Sequence, residues 1–279
     1  MITLKVGMLA SEHAKKHKSE RVGCMQIRVL GCSGGICQGM ATTSFLVDND
    51  ILIDAGTGVS ELTLDEMRSI RHIFVTHSHL DHIASIPLLA DTLFDSLVGN
   101  PIIVHAQNKT LDVLQKHIFN WDIWPDFTAL PGKTNAVLKF HTMKAGAATE
   151  VDGRMIEMFS VNHTIPGVGY RVESAGKSFA FSGDTTSNES LWSALNKHEG
   201  LDLLFIESAF ANKDIELARL AFHYCPELLA MDLLKLRHRP TVCISHLKPG
   251  EEDIIMKECR EALPAWELKQ LKSGDVFEL

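Results

Sequence analysis

The stretch HSHLDH, residues 77 to 82, packs three histidines and an aspartate into six positions. Imidazole and carboxylate side chains bind divalent metal ions and move protons near neutral pH. The chain has 14 histidines among 279 residues, so a cluster could arise by chance, and its surroundings must decide. HIFVT, directly before it, reads as a buried strand, which puts the hexapeptide in a loop at a strand end, where rigid folds display reactive groups. In such a turn His77 and His79 point one way while Asp81 and His82 project to the other side. That arrangement suits two metal ions held close together.

Polar ligand types recur at the ends of later apolar runs. His163 ends FSVNH, Asp184 ends FAFSGD, and His246 ends VCISH. A site assembled from several strand ends requires that placement. Two metal ions need about seven protein ligands, and the sequence offers them: His77, His79 and His163 for one ion, Asp81, His82 and His246 for the other, Asp184 between the two. Every one is imidazole or carboxylate, so zinc, manganese and iron all fit by ligand softness, with zinc the first choice. Such a pair acidifies a bridging water and neutralises charge on a phosphoryl group.

This set, in this order, resembles the metallo-β-lactamase superfamily of binuclear hydrolases, with matches from about Cys24 to the C-terminus. ILIDAGTG is similar to that superfamily's first motif, and the resemblance implies that Asp54 buttresses the metal loop from behind. It further implies an α/β four-layer fold, the αββα sandwich: two mixed β-sheets face to face, helices outside, metals at one edge.

Within the superfamily, HSHLDHIAS and the segment HIFNWDIWPDF resemble the class II cyclic-nucleotide phosphodiesterases. Ribonuclease Z is similar in ligand order and in a histidine about two dozen residues before the last ligand, here His223. The chain departs from ribonuclease Z in two places. Only 21 residues separate His163 from Asp184, which leaves no room for that enzyme's tRNA-gripping arm. Its His-Glu-Ala-Thr signature reads Ile206-Glu207-Ser208-Ala209 here.

The resemblance therefore implies a phosphodiesterase opening 3′,5′-cyclic nucleotides (cyclic AMP or cyclic GMP) to 5′-monophosphates through a hydroxide bridging two metals. A ribonuclease Z-like phosphodiesterase, thioesterase or lactonase is the alternative, since one fold hosts many hydrolyses. The catalytic group would comprise Asp81, His223 as general acid and Glu207 orienting its ring. Asn120, Trp121, Trp124 and Phe127 are candidates for stacking and reading a base, and Phe210 beside Glu207 is another. Members of the family are often homodimers, and a homodimer is expected.

The elements that must position these groups are legible as short β-rich runs. About ten appear: from Cys24, Thr43, Ile51, His72 and Pro101, then from Arg154, Val168, Lys177, Leu201 and Pro240. Ten strands spread over both halves predict two sheets. Pro226 at a first helical position opens the amphipathic PELLAMDLLKLRHR, and a second helix is predicted from near His82 through SIPLLADTLFDSL.

With 45% hydrophobic and 22% charged residues the chain can bury a large core, read as one domain over 23–279. Residues 1–22, including the basic HAKKHKSER, read as an arm or an extra strand. A net charge of −8 disfavours a broad nucleic-acid footprint and fits a small phosphodiester substrate. Six scattered cysteines do not make a disulfide framework, no run approaches the roughly 20 apolar residues of a membrane span, and no secretory signal stands at the N-terminus. A cytoplasmic protein with no membrane partner is expected.

Overall fold

A computed structural model describes residues 24–279, so the basic segment and the arm or strand expected over 1–22 lie outside the described residues. All ten runs form strands. The first half supplies β1 (Gln26–Gly31), β2 (Ser44–Val47), β3 (Ile51–Ile53), β4 (His72–Phe74), β5 (Ile102–Gln107) and β6 (Leu138–Met143). The second supplies β7 (Ala148–Val151), β8 (Arg154–Val161), β9 (Gly167–Ser174), β10 (Lys177–Phe181), β11 (Leu203–Glu207), β12 (Thr241–Ser245), β13 (Leu268–Gln270) and β14 (Val276–Glu278). β6, β7, β13 and β14 were not expected. Their exposed or short, mixed patterns, such as that of Lys269, lack the apolar density that marked the others.

The strands make two seven-stranded mixed sheets, ordered β14-β1-β2-β3-β4-β5-β6 and β13-β12-β11-β10-β9-β8-β7. β3 to β6 run parallel, as do β10 to β13, while the remaining pairings are antiparallel. The inner faces interlock through rings such as Phe45, which lies 4.8 Å from Phe181 and 5.1 Å from Phe205 between centroids. Each outer face carries its own helix-covered core, one around Trp192, Leu229 and Met256, the other around Ile73, Leu89 and Val104. Central strands buried on both faces explain their near-continuous Ile, Val, Leu and Phe.

The helix predicted from Pro226 forms over Pro226–Leu233. The one predicted from near His82 is broken into Leu80–Ile83, Ser85–Thr92 and Phe94–Leu97. Pro87 stands third in the middle piece, where its missing N–H costs nothing. No helix among the described residues is long and apolar enough to cross a membrane.

Two ties fix the sheets to each other. At one end the buried Arg154 donates to Asp50 at 2.6 and 2.8 Å and to Asp48 at 2.9 Å, joining β8 to the β2–β3 turn. At the other, the Tyr170 hydroxyl donates to the Val75 carbonyl at 2.8 Å, and the Val168 N–H to the Thr76 carbonyl at 3.1 Å. This second tie sets the depth at which β4 ends beneath the reactive loop.

Candidate metal centre

Parallel strands in both sheets end at the same edge of the sandwich, and the polar residues that follow them converge there. Asp54 follows β3, His77 lies just beyond β4, His163 beyond β8, Asp184 beyond β10, and His246 directly beyond β12. Asp54 and His246 take left-handed backbone angles, φ of 56° and 59°, which turn the chain abruptly at the strand end. Gly56 lets the hexapeptide loop come close: a Cβ there would lie 2.1 Å from the Asp81 carbonyl oxygen.

Two groups of donor atoms form, each within 4.8 Å: His77, His79, His163 and Asp184, and Asp81, His82, Asp184 and His246. Asp184 belongs to both. In the first group, His79 Nδ1 lies 3.1 Å from both His77 Nε2 and His163 Nε2. In the second, Asp184 Oδ2 lies 3.2 Å from His82 Nε2, and its Oδ1 lies 3.3 Å from His246 Nδ1. Asp81 is the outermost donor, its Oδ2 3.7 Å from His82 and 3.9 Å from His246.

Neighbouring groups fix the tautomers. Asp54 accepts the Nδ1–H of His82 at 2.7 Å, and Thr76 donates to the same carboxylate from its N–H at 2.7 Å and its hydroxyl at 2.8 Å. With its hydrogen so used, the Thr76 oxygen accepts from His77 Nδ1 at 3.0 Å. The carbonyl of Phe222 accepts from His163 Nδ1 at 3.0 Å. The Nε2 lone pairs of His77, His82 and His163 are thereby turned toward the cluster.

These residues suit divalent cations. One N–H on His79 can serve only one of its two short nitrogen contacts, and Asp184 Oδ1 and His246 Nδ1 are buried with no hydrogen-bond partner among the described residues. The 3.1 Å nitrogen spacings are close to roughly 3.3 Å, the edge of a tetrahedron built on zinc–nitrogen bonds of about 2.0–2.1 Å.

Protonation agrees. Burial, with the charge of His82, holds His77 well below the usual histidine range, and burial lowers His163 to about 4 and His246 to about 3. Burial opposes the charge on Asp184, but the rings of His246, His82 and His77 outweigh it and hold the carboxyl well below its ordinary value. Neutral imidazoles around an ionised carboxylate are what metal ligation needs. His82 differs: burial disfavours its charge, yet Asp184 and Asp54 raise it strongly, so a proton is drawn to the direction a cation would take.

His223 stands over the cluster, its ring centroid 4.9 Å from that of His163 and 5.2 Å from that of His246. Its Nδ1 donates to Glu207 Oε1 at 2.7 Å. Glu207 also accepts from the N–H groups of Thr185, Ala209 and Tyr224. Four N–H donors require the ionised carboxylate although burial raises its pKa, and they leave the shared proton on the ring. Burial works against that proton, but Glu207 overrides it and lifts His223 to about 9.

The candidate base-reading residues separate. Phe210 is near the centre, its ring 5.8 Å from His223. Asn120 spends its amide locally, on the Lys116 carbonyl and on the N–H groups of Asp122 and Ile123. Phe127 is buried in the helix-side core, against Phe94 and Phe119, and Trp124 packs on that core while Trp121 is exposed. Among the described residues, no hydrogen bond or ring contact joins this segment to the histidines. Phe127 and Trp124 are held away from the centre because burying their rings in the helix-side core is the favourable use of their apolar area. Sequence reasoning missed Thr76 and Phe222. Thr76 was visible as the residue before His77, whereas a backbone carbonyl such as that of Phe222 leaves no trace in residue type.

An αββα sandwich gathers at one edge a buried His/Asp cluster compatible with divalent metal binding. The profile of the family described as "Beta-lactamase superfamily domain" matches residues 49–247, and the chain belongs to that superfamily.

A Yersinia pestis protein named as a probable 3′,5′-cyclic-nucleotide phosphodiesterase is 25% identical over 303 aligned positions, covering 88% of this chain and 84% of that one. The 3′,5′-cyclic-nucleotide phosphodiesterase 1 of Saccharomyces cerevisiae is 36% identical, but over 24% of this chain and only 18% of its own. Ribonuclease Z of Mycobacterium bovis is 30% identical over 50% of this chain and 54% of its own. Among solved structures, unliganded yeast PDE1 superposes with a TM-score of 0.78 at 19% identity, covering 91% of this chain and 99% of that one.

Proposed function

We propose that the chain is a phosphodiesterase hydrolysing 3′,5′-cyclic nucleotides to 5′-monophosphates at a binuclear centre. The observation that carries this reading is the meeting of two donor groups at Asp184, directly beneath a histidine paired with a buried glutamate. The likeness to the Yersinia phosphodiesterase over most of both chains supports the substrate class.

His77, His79, His163 and Asp184 would hold one divalent ion and Asp81, His82, His246 and Asp184 the other, with zinc the first candidate. Divalent ions held there would supply a water of lowered pKa and neutralise charge on the phosphoryl oxygens. Asp54, Thr76 and the Phe222 carbonyl keep three imidazoles aimed inward. With Nδ1 held by Glu207, His223 would give the 3′-oxygen a proton from Nε2 as the ring opens. A homodimer belongs to the same reading and is measured by sedimentation.

The test compares kcat/KM of purified protein on cyclic AMP, cyclic GMP, 2′,3′-cyclic AMP, bis(p-nitrophenyl) phosphate, a thioester and a lactone. Preference for a 3′,5′-cyclic nucleotide is expected, and preference for the thioester or lactone overturns the reading. His223→Ala should reduce turnover about 10²-fold or more with bound metal unchanged.

A further inference from the structure

We propose that Lys248 is a substrate-anchoring residue whose ammonium, fixed at the rim of the histidine cluster, binds the negative charge of the phosphoryl group. This rests on the phosphodiesterase reading and adds to it a binding element outside the metal ligands.

Lys248 stands two residues after His246, beyond the end of β12. Its Nζ donates to the Gly34 carbonyl at 2.8 Å. Gly34 is pressed against His246: a Cβ there would lie 2.4 Å from the His246 carbonyl oxygen and 3.1 Å from its ring carbon Cδ2. On its other side the ammonium is 5.7 Å from the centroid of Phe210, whose ring is 5.8 Å from that of His223. The cation is thus lodged between residues that touch a donor ring and the proposed proton donor.

Lysines 177, 213, 235, 257 and 269 each have a carboxylate within 4.0 Å; Lys248 has none among the described residues, and of the described lysines without one it is the one whose Nζ is fixed on a protein acceptor. One of its three donors is committed to Gly34, and no carboxylate among the described residues lies within 4.0 Å of its charge. A side chain that only clamped the Gly34 loop would not need that charge. A phosphodiester arriving at the centre brings one negative charge and two nonbridging oxygens, and an ammonium binds such a group as a point charge. Phe210, under the ammonium, then limits how the rest of the substrate can lie.

The experiment uses zinc-loaded full-length protein and three variants: Lys248→Met, Lys248→Gln, which keeps a donor for the Gly34 carbonyl without the charge, and Lys248→Arg. KM and kcat for cyclic AMP are measured beside calorimetric binding of inorganic phosphate, with melting temperature and zinc content as controls. The expected result is a rise of about tenfold in KM and in the phosphate dissociation constant for Met and Gln alike, largely restored by Arg, with smaller changes in kcat. Phosphate affinity within twofold of wild type in Lys248→Gln overturns the inference, as does a Gln variant that behaves like wild type while Met loses zinc or melts early. If wild-type protein leaves cyclic AMP intact, the phosphodiesterase reading fails, and the phosphate arm still decides the role of Lys248.

Discussion

Asp54 and His82, 28 positions apart in sequence, meet through a 2.7 Å hydrogen bond in which both side chains are fully buried. Thr76, two residues beyond β4, donates twice to the same carboxylate, so one aspartate links the end of β3, the segment after β4 and the helix that begins at Leu80. The orientation of His82, and through Thr76 that of His77, is thereby set before any ligand arrives.

Asp54→Asn should loosen that orientation while keeping the fold. An amide places an N–H₂ either on Oδ1, which accepts the Thr76 N–H, or on Oδ2, which accepts both the Thr76 hydroxyl and the His82 ring N–H, so one or two hydrogen bonds are lost. Metal affinity, measured by chelator competition, is expected to fall about 10- to 100-fold. Affinity equal to wild type would show that the tautomer of His82 is fixed elsewhere.

Stripping the metals should lower stability, because the buried, ionised Asp184 then has only imidazoles around it. Differential scanning calorimetry before and after dialysis against a chelator reads the effect. Re-addition of zinc should restore the melting temperature, and a melting temperature indifferent to both steps argues against a bound ion.

Arg154→Met removes the tie at the opposite end of the sandwich. The guanidinium is nearly buried, but Asp48 and Asp50 keep 30% and 17% of their side-chain exposure, so the charges left behind are partly solvated. A loss of about 2 kcal/mol is expected in urea unfolding, below the figure for a wholly buried pair. Replacing both aspartates by asparagine in the same variant should recover part of it.

His105 gives the acid side of the stability profile a definite sign. It stacks on Phe74 with centroids 4.2 Å apart, and burial, aided by His72 and His141, pushes it down to about 3 from an ordinary 6.5. Between these values the unfolded chain binds a proton that the folded chain refuses, so stability present above about 6.5 is lost as the pH falls. His105→Phe keeps the stack and should remove up to about 1.4 kcal/mol per pH unit from the slope of unfolding free energy between pH 6 and 4. Parallel slopes for variant and wild type would exclude His105 as the proton-linked group.

His77, His163, Asp184 and His246 were legible in the chain because each follows an apolar run, and His79, Asp81 and His82 because they share one hexapeptide with His77. Strand periodicity is a local property, and the ten runs it marked are the strands that frame the site. β6, β7, β13 and β14 escaped because edge strands bury one face or neither, leaving little pattern to read.

What the sequence by itself determined was a set of ligand types at strand ends and the fold that would gather them. Only the tertiary structure decided that the carbonyl of Phe222 orients His163, that Asn120 is spent on its own turn, and that Lys248, among the described residues, sits on the Gly34 carbonyl rather than beside a carboxylate. The reason is physical: residue type and spacing report what a side chain can do and which way its strand turns it. Distances between strands 100 residues apart, and the backbone groups that complete a site, arise only when the sheets pack.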